Sequence, residues 1–374
     1  MSTITYLTRI EFGSGVRAML PDALKDFGIT RPLVVTDAGL VASGLVEQVT
    51  RLLPPDHVIF DGTPGNPTEE AVEKALDAWR DGACDGIVAV GGGSSIDLAK
   101  GVALLARHPG PLEQYAAVLG GLPRITAAVA PVIAVPTTAG TGSEVGRASL
   151  LTLKDGRKLG FISPHLIPKL AIVDPDLTLG LPAGLTAATG MDALSHCIET
   201  FLSPRDNPPA EAIALDGAGR VMRHLRRAVA AGDDATARHE MMMAALQGGL
   251  CFQKGLGAVH ALSHPLGGLK APALHHGTLN AVLMPAVLRF NAGHVGDKYA
   301  RLAAAMGLPA GMDLADAVAA LSRDIGLPAT LSAMGTPRDV LPRMAEMAVI
   351  DHSSATNPRP ADAGAYLGLL EEAF

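Results

Sequence analysis

The stretch Gly86-Ile87-Val88-Ala89-Val90-Gly91-Gly92-Gly93-Ser94-Ser95-Ile96-Asp97-Leu98-Ala99-Lys100 carries the most information about the fold. Its apolar first part has no polar alternation, which is typical of a strand buried on both faces of a parallel sheet. Glycines then lead directly into a helix. Glycine lets the backbone approach a phosphate closely, and a helix N-terminus presents free N–H groups to an anion. The turn therefore suggests a pyrophosphate site, although such a turn also occurs as a plain structural connection.

Four other apolar runs in the first half have the same character: residues 32–37, 57–61, 132–136 and 170–174. Helical stretches lie between them, so they predict a doubly wound parallel sheet. After about residue 180 these runs stop, and Ala, Leu and Met at helical spacing dominate residues 191–202, 240–252, 279–290 and 298–306. Because 374 residues exceed the usual size of a single core, we expect two domains. The sequence predicts an α/β domain over residues 1–180 and an all-α domain over residues 181–374.

The bulk properties exclude several classes of partner. A net charge of −7 provides no basic surface for nucleic acid. The N-terminus lacks the pattern of a signal peptide, and no apolar run reaches the roughly 18 residues needed to span a membrane. Three cysteines at irregular spacing form neither a disulfide framework nor a zinc ribbon. We therefore expect a cytoplasmic protein with a small-molecule partner, and a strand near Ile4 to Ile10 suggests pairing across a homodimer.

A second predicted strand ends in Pro136-Thr137-Thr138-Ala139-Gly140-Thr141-Gly142-Ser143-Glu144, where hydroxyls and glycines are concentrated. The hydroxyls could bind the ribose or phosphates of a nucleotide, or cap the following helix. Two such loops at the carboxyl ends of parallel strands are typical of ligand-binding α/β sheets. Asp37 ends another strand. It is placed either to accept hydrogen bonds from an adenosine ribose, which would favour NAD over NADP, or to cap a helix.

Another group of polar residues lies in the helical half. Asp192 and His196 are four residues apart, so both side chains leave the same face of a helix and can reach one ion. Such a pair alone is more often part of a solvated face. Further along, His260 and His264 stand one turn apart among Ala, Val and Leu, and His275-His276-Gly277 follows. Carboxylate and imidazole groups together suit Zn²⁺ or Fe²⁺ better than Mg²⁺ or Ca²⁺, so these windows favour a divalent-metal site.

These motifs resemble those of the iron-containing (group III) alcohol dehydrogenases, which have the dehydroquinate synthase-like fold. The resemblance rests on Gly91 to Asp97, Pro136 to Glu144, Gly190 to His196, His260 to Gly267 and His276-Gly277. It covers essentially the whole chain, from Glu11-Phe12-Gly13-Ser14-Gly15 to Asn357-Pro358-Arg359-Pro360. It implies NAD(P)-linked interconversion of alcohols and aldehydes by hydride transfer, with a bound metal acting as a Lewis acid.

By motif position, the resemblance implies that the metal ligands are Asp192, His196, His260 and His276. It implies that His264 is not a ligand and faces the substrate and the nicotinamide. The implied cofactor-binding residues are Gly92, Gly93, Ser94 and Asp97 at the pyrophosphate and nicotinamide side, Thr137, Thr138 and Thr141 along the rest of the nucleotide, Lys158 near the ribose with Leu177 or Leu179 beside it, and Asn66 in a neighbouring loop. The implied cofactors are NAD, with NADP as the alternative, and Fe²⁺, with Zn²⁺ as the alternative.

Two stretches depart from the family pattern. The segment between His264 and His276 is slightly longer than in typical members, and it offers two adjacent histidines. We favour His276 as the ligand because Gly277 follows it, with His275 as the alternative. The second departure is Lys254, a charge close to the expected pocket. If Lys254 faces the substrate, a carboxylated or phosphonated aldehyde becomes plausible, although a surface lysine is the commoner outcome.

Three other functions are alternatives. A sugar-phosphate cyclase of dehydroquinate synthase type would place several Lys, Arg and Asn residues around the metal, whereas these windows carry mainly Ala, Leu, Gly and His. A maleylacetate reductase would not depend on the metal, so the presence of all four ligands speaks against it. A degenerate metal- or nucleotide-binding protein would lack a ligand position, and none is lost. Low aromatic content, 3% of residues, favours a small aliphatic alcohol or aldehyde as substrate.

Overall fold

The computed structural model describes residue 4, residues 8–269 and residues 271–374. These residues form two compact units. The α/β unit takes its described residues from Tyr6–Thr138 and Ser143–Thr178, and the helical unit contains Ala139–Gly142 and Leu179–Phe374. The domain limits 1–180 and 181–374 stay a prediction.

The strands of the α/β unit are β1 Arg9–Phe12, β2 Pro32–Val35, β3 Val58–Phe60, β4 Gly86–Gly91, β5 Val132–Pro136, β6 Ala148–Thr152, β7 Lys158–Ile162 and β8 Leu170–Val173. Six of them form one sheet in the order β1-β8-β5-β4-β2-β3, in which all neighbours are parallel. The other two, β6 and β7, pair as an antiparallel hairpin. The five apolar runs identified in the sequence correspond to β2, β3, β4, β5 and β8.

Alternate residues of the central strands enter two different apolar cores. Leu33 and Ile87 contribute to one core, whereas Val34 and Val88 contribute to the other, and all four are fully buried. Since successive side chains of a strand point to opposite faces, a sheet covered on both sides needs apolar residues at every position. This explains the lack of polar alternation, and the predicted doubly wound fold is confirmed.

Helices follow the strands in the α/β unit and make up the helical unit. In the α/β unit they are α1 Leu20–Asp26, α2 Ala38–Ala42, α3 Glu47–Thr50, α4 Glu69–Asp81 and α5 Gly93–Leu105. In the helical unit they are α6 Ala183–Leu202, α7 Pro208–Ala230, α8 Ala235–Cys251, α9 Ala258–Gly267, α10 His276–Asn291, α11 Lys298–Ala305, α12 Leu314–Asp324, α13 Leu341–Val349 and α14 Ala363–Glu372. Every strand of the described chain precedes Leu179, which confirms the predicted all-α second part. None of the described helices combines the length and apolar character that a membrane span requires.

The hairpin β6–β7 was not predicted, and a buried lysine connects it to α5. Nζ of Lys100 donates to the carbonyl oxygens of Ser143, Gly146 and Ala148 at 2.7–2.9 Å, and to the Ser143 hydroxyl at 2.9 Å. The Lys100 side chain is completely buried, and burial lowers its pKa to about 8. These hydrogen bonds hold residues 143–148, which lead into β6, against α5.

We expect the substitution Lys100→Met to lower the free energy of unfolding by about 3 kcal/mol, because it leaves several buried acceptors without a donor. Urea unfolding followed by circular dichroism measures this change. The matched control is Lys74→Met on the exposed face of α4, which should change the free energy of unfolding by less than about 0.5 kcal/mol. Equal stabilities for the two variants would contradict this role for Lys100.

Candidate metal centre and active site

The structure brings the four predicted metal ligands together. Asp192 and His196 lie on α6, His260 lies on α9, and His276 is the first residue of α10. Nε2 of His196 and Nε2 of His260 each lie 3.8 Å from Oδ1 of Asp192, and Nε2 of His276 lies 3.7 Å from the same oxygen. Ligand atoms of a tetrahedral ion with bonds of about 2.0–2.2 Å are about 3.3–3.6 Å apart. These three distances are close to what a single ion requires, and ligand atoms of Asp192, His196 and His260 all lie within 4.8 Å of one another.

The protonation state of His196 also suits a bound cation. Asp192, His196 and His260 are at most 5% exposed. Burial lowers the pKa of His196 to about 4, although the nearby Asp192 acts in the opposite direction. The His196 ring is therefore neutral at pH 7 and offers a lone pair. Neutral imidazole and ionised carboxylate are the forms that bind divalent metals, so the residues present fit an Fe²⁺ or Zn²⁺ ion.

Asn280 lies next to the same group of donor atoms, and sequence analysis did not single it out. Its Nδ2 donates to Oδ1 of Asp192 at 2.7 Å and lies 3.2 Å from Nε2 of His276 and 3.4 Å from Nε2 of His260. Oδ1 of Asp192 and Nε2 of His260 and His276 thus all lie around the NH₂ group of Asn280, which carries a partial positive charge. Asn280 follows His276 by four residues on α10, which places both on one helix face. The four-residue spacing from His276 is the feature of the sequence that could have identified Asn280.

Glu199 holds the proton of His260. Its Oε2 lies 2.5 Å from Nδ1 of His260, and its Oε1 accepts a hydrogen bond from the backbone N–H of Val259 at 2.6 Å. Burial acts to lower the pKa of His260, but the hydrogen bond and charge of Glu199 outweigh it and the pKa is raised. A carboxylate on Nδ1 fixes the ring and leaves Nε2 for a metal, an arrangement common to histidine ligands.

Gly277 lets α10 approach α6 closely enough for His276 to reach Asp192. A Cβ atom at Gly277 would lie 2.2 Å from the carbonyl oxygen of Ala188 and 3.3 Å from Cβ of Asp192. The first of these contacts is with backbone and cannot be relieved by a side-chain movement. The close approach explains why a glycine directly follows the histidine.

We expect Gly277→Ala to displace the first turn of α10 and to lower turnover on the order of 100-fold, because an ångström-scale shift of His276 spoils the ligand geometry. Metal retained after dialysis against a chelator and kcat are the measurements. Gly293→Ala is the control, since a Cβ there meets no atom within 4 Å. If Gly277→Ala kept both metal and rate, the close approach would have no functional role.

The two other predicted histidines have different surroundings. The His275 side chain is exposed, and its Nδ1 lies 3.5 Å from the Thr278 hydroxyl. The His264 ring stacks on that of His276 with 5.6 Å between centroids. Nδ1 of His264 lies 2.9 Å from Oδ2 of Asp351. His264 therefore lies beside the ligand group, and Asp351 is a partner that sequence analysis missed.

In the α/β unit, the structure groups several of the residues implied in cofactor binding. Nζ of Lys158 donates to Oδ1 of Asn66 at 3.3 Å, although 92 positions separate the two residues. The Ser94 hydroxyl donates to the carbonyl of Gly65 at 2.7 Å. The loop containing Asn66 thus contacts both the hairpin and the glycine-rich turn.

The glycine-rich turn itself is tightly constrained. Gly92 precedes α5 as its N-cap and Gly93 is the first helical residue. A Cβ at Gly92 would lie 3.2 Å from Oγ1 of Thr138. Thr137 is buried, and its backbone N–H donates to the carbonyl of Gly91. The turn and the threonine loop therefore lie together at the carboxyl ends of β4 and β5, as expected for neighbouring strands.

Both carboxylates assigned to the cofactor already have protein partners. Asp97 accepts from the Ser143 hydroxyl at 2.5 Å and from the backbone N–H of Leu150 at 3.0 Å. Asp37 caps α2, with Oδ1 accepting from the N–H of Leu40 at 3.0 Å. The capping alternative for Asp37 is thus observed, and its ribose contact stays a prediction, as does the role of Asp97.

The remaining residues of the cofactor set lie in different settings. Leu177 is buried in the same core as Val34 and Val88, so its side chain packs there. Leu179 is 38% exposed and belongs to the helical unit, as does Thr141. Their roles stay predictions.

Lys254 is a buried residue and does not lie on the surface. The residue is 2% exposed, and Nζ donates to the carbonyl oxygens of Thr200, Phe201 and Ser203 at 2.9–3.2 Å. It also forms an ion pair with Glu211 at 2.8 Å. Lys254 therefore stabilises the C-terminus of α6, where carbonyl groups lack helical partners. The expectation of a surface lysine was therefore wrong, and these contacts give no support to the alternative that Lys254 recognises an acidic substrate.

Comparison with known proteins agrees with this geometry. Residues 8–175 match the family described as iron-containing alcohol dehydrogenase, and residues 186–374 match the C-terminal part of the same family. A 4-hydroxybutyrate dehydrogenase of Cupriavidus necator is 55% identical over 382 residues, with 100% of both chains covered.

Solved structures agree over the same length. A 1,3-propanediol oxidoreductase is 38% identical with a TM-score of 0.93, covering 100% of both chains. The sulfoacetaldehyde reductase of Bifidobacterium kashiwanohense, solved in complex with NAD⁺, is 27% identical with a TM-score of 0.90, covering 100% of this chain and 98% of that one. The resemblance predicted from the motifs is confirmed. The chain belongs to the iron-containing alcohol dehydrogenase family and is a metal-binding oxidoreductase that acts on alcohols and aldehydes.

Proposed function

We propose that this protein is an iron-dependent, NAD-linked dehydrogenase that interconverts a short aliphatic alcohol and its aldehyde. The observation that supports it most directly is the convergence of three histidine nitrogens, from His196, His260 and His276, on one oxygen of Asp192. When bound, the metal would polarise the substrate oxygen and NAD would accept the hydride.

The chain's own residues supply position and charge. Asp192 and the three histidines would hold the metal, and Glu199 would keep the proton of His260 on Nδ1. Ser94, Asn66 and Lys158 are proposed to contact the nucleotide, because they lie together beside the glycine-rich turn. The start of α5 would direct its free N–H groups to the pyrophosphate.

The choice of metal and of cofactor rests on separate observations. A site with three nitrogens and one oxygen binds Zn²⁺ more tightly than Fe²⁺ by the Irving–Williams order, so iron is proposed from family membership, with zinc as the alternative. NAD is proposed over NADP because Asp37 follows the last residue of β2 by two positions, and a carboxylate there would repel a 2′-phosphate. A structural neighbour was solved with NAD⁺.

For the substrate, we propose 4-hydroxybutyrate and its semialdehyde as the first pair to test. The 55% identical relative is a 4-hydroxybutyrate dehydrogenase, and this substrate is both a short aliphatic alcohol and a carboxylate. Since Lys254 is committed to Glu211 and to backbone carbonyls, another group would have to bind the carboxylate if it is recognised at all.

The proposed assembly is a homodimer. β1 is an edge strand of the sheet, paired only with β8 among the described strands, and an open strand edge can pair with a second copy. Part of the strand first expected near Ile4 to Ile10 lies outside the described residues. Light scattering after gel filtration would show a mass twice that of the chain.

The experiment is a spectrophotometric assay of metal-loaded protein. NADH and NADPH are each offered with succinic semialdehyde and with butanal, which has the same chain length but no carboxylate, with and without a chelator. We expect NADH consumption that stops on chelation, with a higher kcat/KM for the semialdehyde. Consumption that is unaffected by complete metal removal, or a preference for NADPH, would contradict the corresponding part of the proposal.

A further inference from the structure

Two other histidine rings restrain the ring of His264. His276 stacks on it with 5.6 Å between centroids and 9° between planes. His352 also stacks on it, with 5.5 Å between centroids and 18° between planes. His264 is 5% exposed. Nearly parallel neighbours of this kind restrict how far the imidazole plane can tilt.

Asp351 fixes the edge of the same ring. Its Oδ2 lies 2.9 Å from Nδ1 of His264, while its Oδ1 accepts a hydrogen bond from the backbone N–H of Ser353 at 2.8 Å. An ionised carboxylate can only accept hydrogen bonds, so the proton of a neutral His264 must be on Nδ1. Among the described residues, Nε2 of His264 has no hydrogen-bond partner. It is left as an acceptor.

We propose that Asp351 is the positioning residue of the active site: it holds His264 in the Nδ1–H form, so that Nε2 accepts a hydrogen bond from the hydroxyl group of the alcohol substrate. This inference rests on the proposed function. Asp351 itself does not contact the substrate and acts through His264. The carboxylate can do so because the backbone of Ser353 fixes its orientation.

The backbone N–H of Ser353 makes the substitution Asp351→Asn a decisive test. The amide oxygen of the asparagine must face that N–H, so its NH₂ group takes the place of Oδ2 and points at Nδ1 of His264. Two donors cannot share a hydrogen bond, and the ring must move its proton to Nε2. The acceptor for the substrate is then lost, while the size of the side chain is unchanged.

The first measurement is nitrogen NMR of histidine-labelled, metal-free protein, with the His264 signal assigned from a His264→Gln spectrum. We expect the Nδ1–H form in the unmodified protein and the Nε2–H form in Asp351→Asn. The control is Asp297→Asn, where the carboxylate is exposed and makes no side-chain hydrogen bond to its helix. It should leave the His264 signal unchanged. Finding the same form of His264 in the unmodified protein and in Asp351→Asn would overturn the proposal.

The second measurement is steady-state kinetics of the metal-loaded variants. We expect Asp351→Asn to lower kcat about 100-fold with KM changed less than about threefold, because the interaction serves the reaction more than binding. Metal content should stay equal to that of the unmodified protein. Donor atoms of His264, Asp351 and His352 are also close enough to hold a cation. A second equivalent of metal that disappears in Asp351→Asn would therefore overturn the positioning role.

The two measurements separate this inference from the proposed function. The NMR result depends neither on the substrate nor on a metal, so it tests the His264–Asp351 pair even if the semialdehyde is a poor substrate. Conversely, if the unmodified protein is active and Asp351→Asn has the same kcat, the proposed dehydrogenase function is supported and the role of Asp351 is refuted.

Discussion

Replacing His276 by Ala is expected to remove the metal and to lower turnover about 1000-fold, a loss of roughly 4 kcal/mol of transition-state stabilisation. The expectation follows from position: Nε2 of His276 lies 3.7 Å from Oδ1 of Asp192, at the same spacing as the other two histidines. Elemental analysis after dialysis against a chelator and kcat with the best aldehyde are the two readouts.

The neighbouring residue is a matched control. His275→Ala removes the same side chain one position earlier, where the residue is exposed and Nδ1 lies 3.5 Å from the Thr278 hydroxyl. It should retain its metal and change kcat less than about threefold. The opposite pattern, with metal lost in His275→Ala and kept in His276→Ala, would reassign the fourth ligand.

The substitution Glu199→Gln is expected to weaken metal binding by about 10- to 100-fold. The carboxylate accepts two hydrogen bonds, from Val259 N–H and from His260 Nδ1–H. A glutamine has one amide oxygen, so its NH₂ group must face one of these two donors. If the NH₂ group faces the N–H of Val259, the side chain turns and His260 loses its fixed orientation. If it faces Nδ1 of His260, the ring proton must move to Nε2, which can then no longer bind the metal.

Competition with a calibrated chelator gives the dissociation constant of the metal for Glu199→Gln. Glu346→Gln, the same change on the exposed face of α13, is the control and should bind metal as tightly as the unmodified protein. An unchanged dissociation constant for Glu199→Gln would show that His260 needs no orienting carboxylate.

The parts of the fold that local patterns determine could be predicted from the sequence. Strands such as β4 are recognisable because a sheet buried on both faces needs apolar side chains at every position. Asp192 and His196 could be paired because their spacing is set by one helix. The hairpin β6–β7 could not be predicted, since its Ala148–Thr152 and Lys158–Ile162 segments are short and lack such a run.

The supporting residues of the site could not be assigned because their partners are distant in sequence. Glu199 lies on α6, three residues after His196, but 61 positions separate it from His260. Asp351 is 87 positions from His264. The role of Lys254 could not be predicted either, because an isolated lysine in the sequence does not indicate that its side chain will be buried and will cap α6.

The most direct test of the central claim is a crystal structure of the iron-loaded protein with anomalous diffraction recorded at the iron edge. We predict one anomalous peak, with bonds of about 2.0–2.3 Å to Oδ1 of Asp192 and to Nε2 of His196, His260 and His276. A peak bonded to other residues, or one that lacks any of these four ligands, would contradict the assignment.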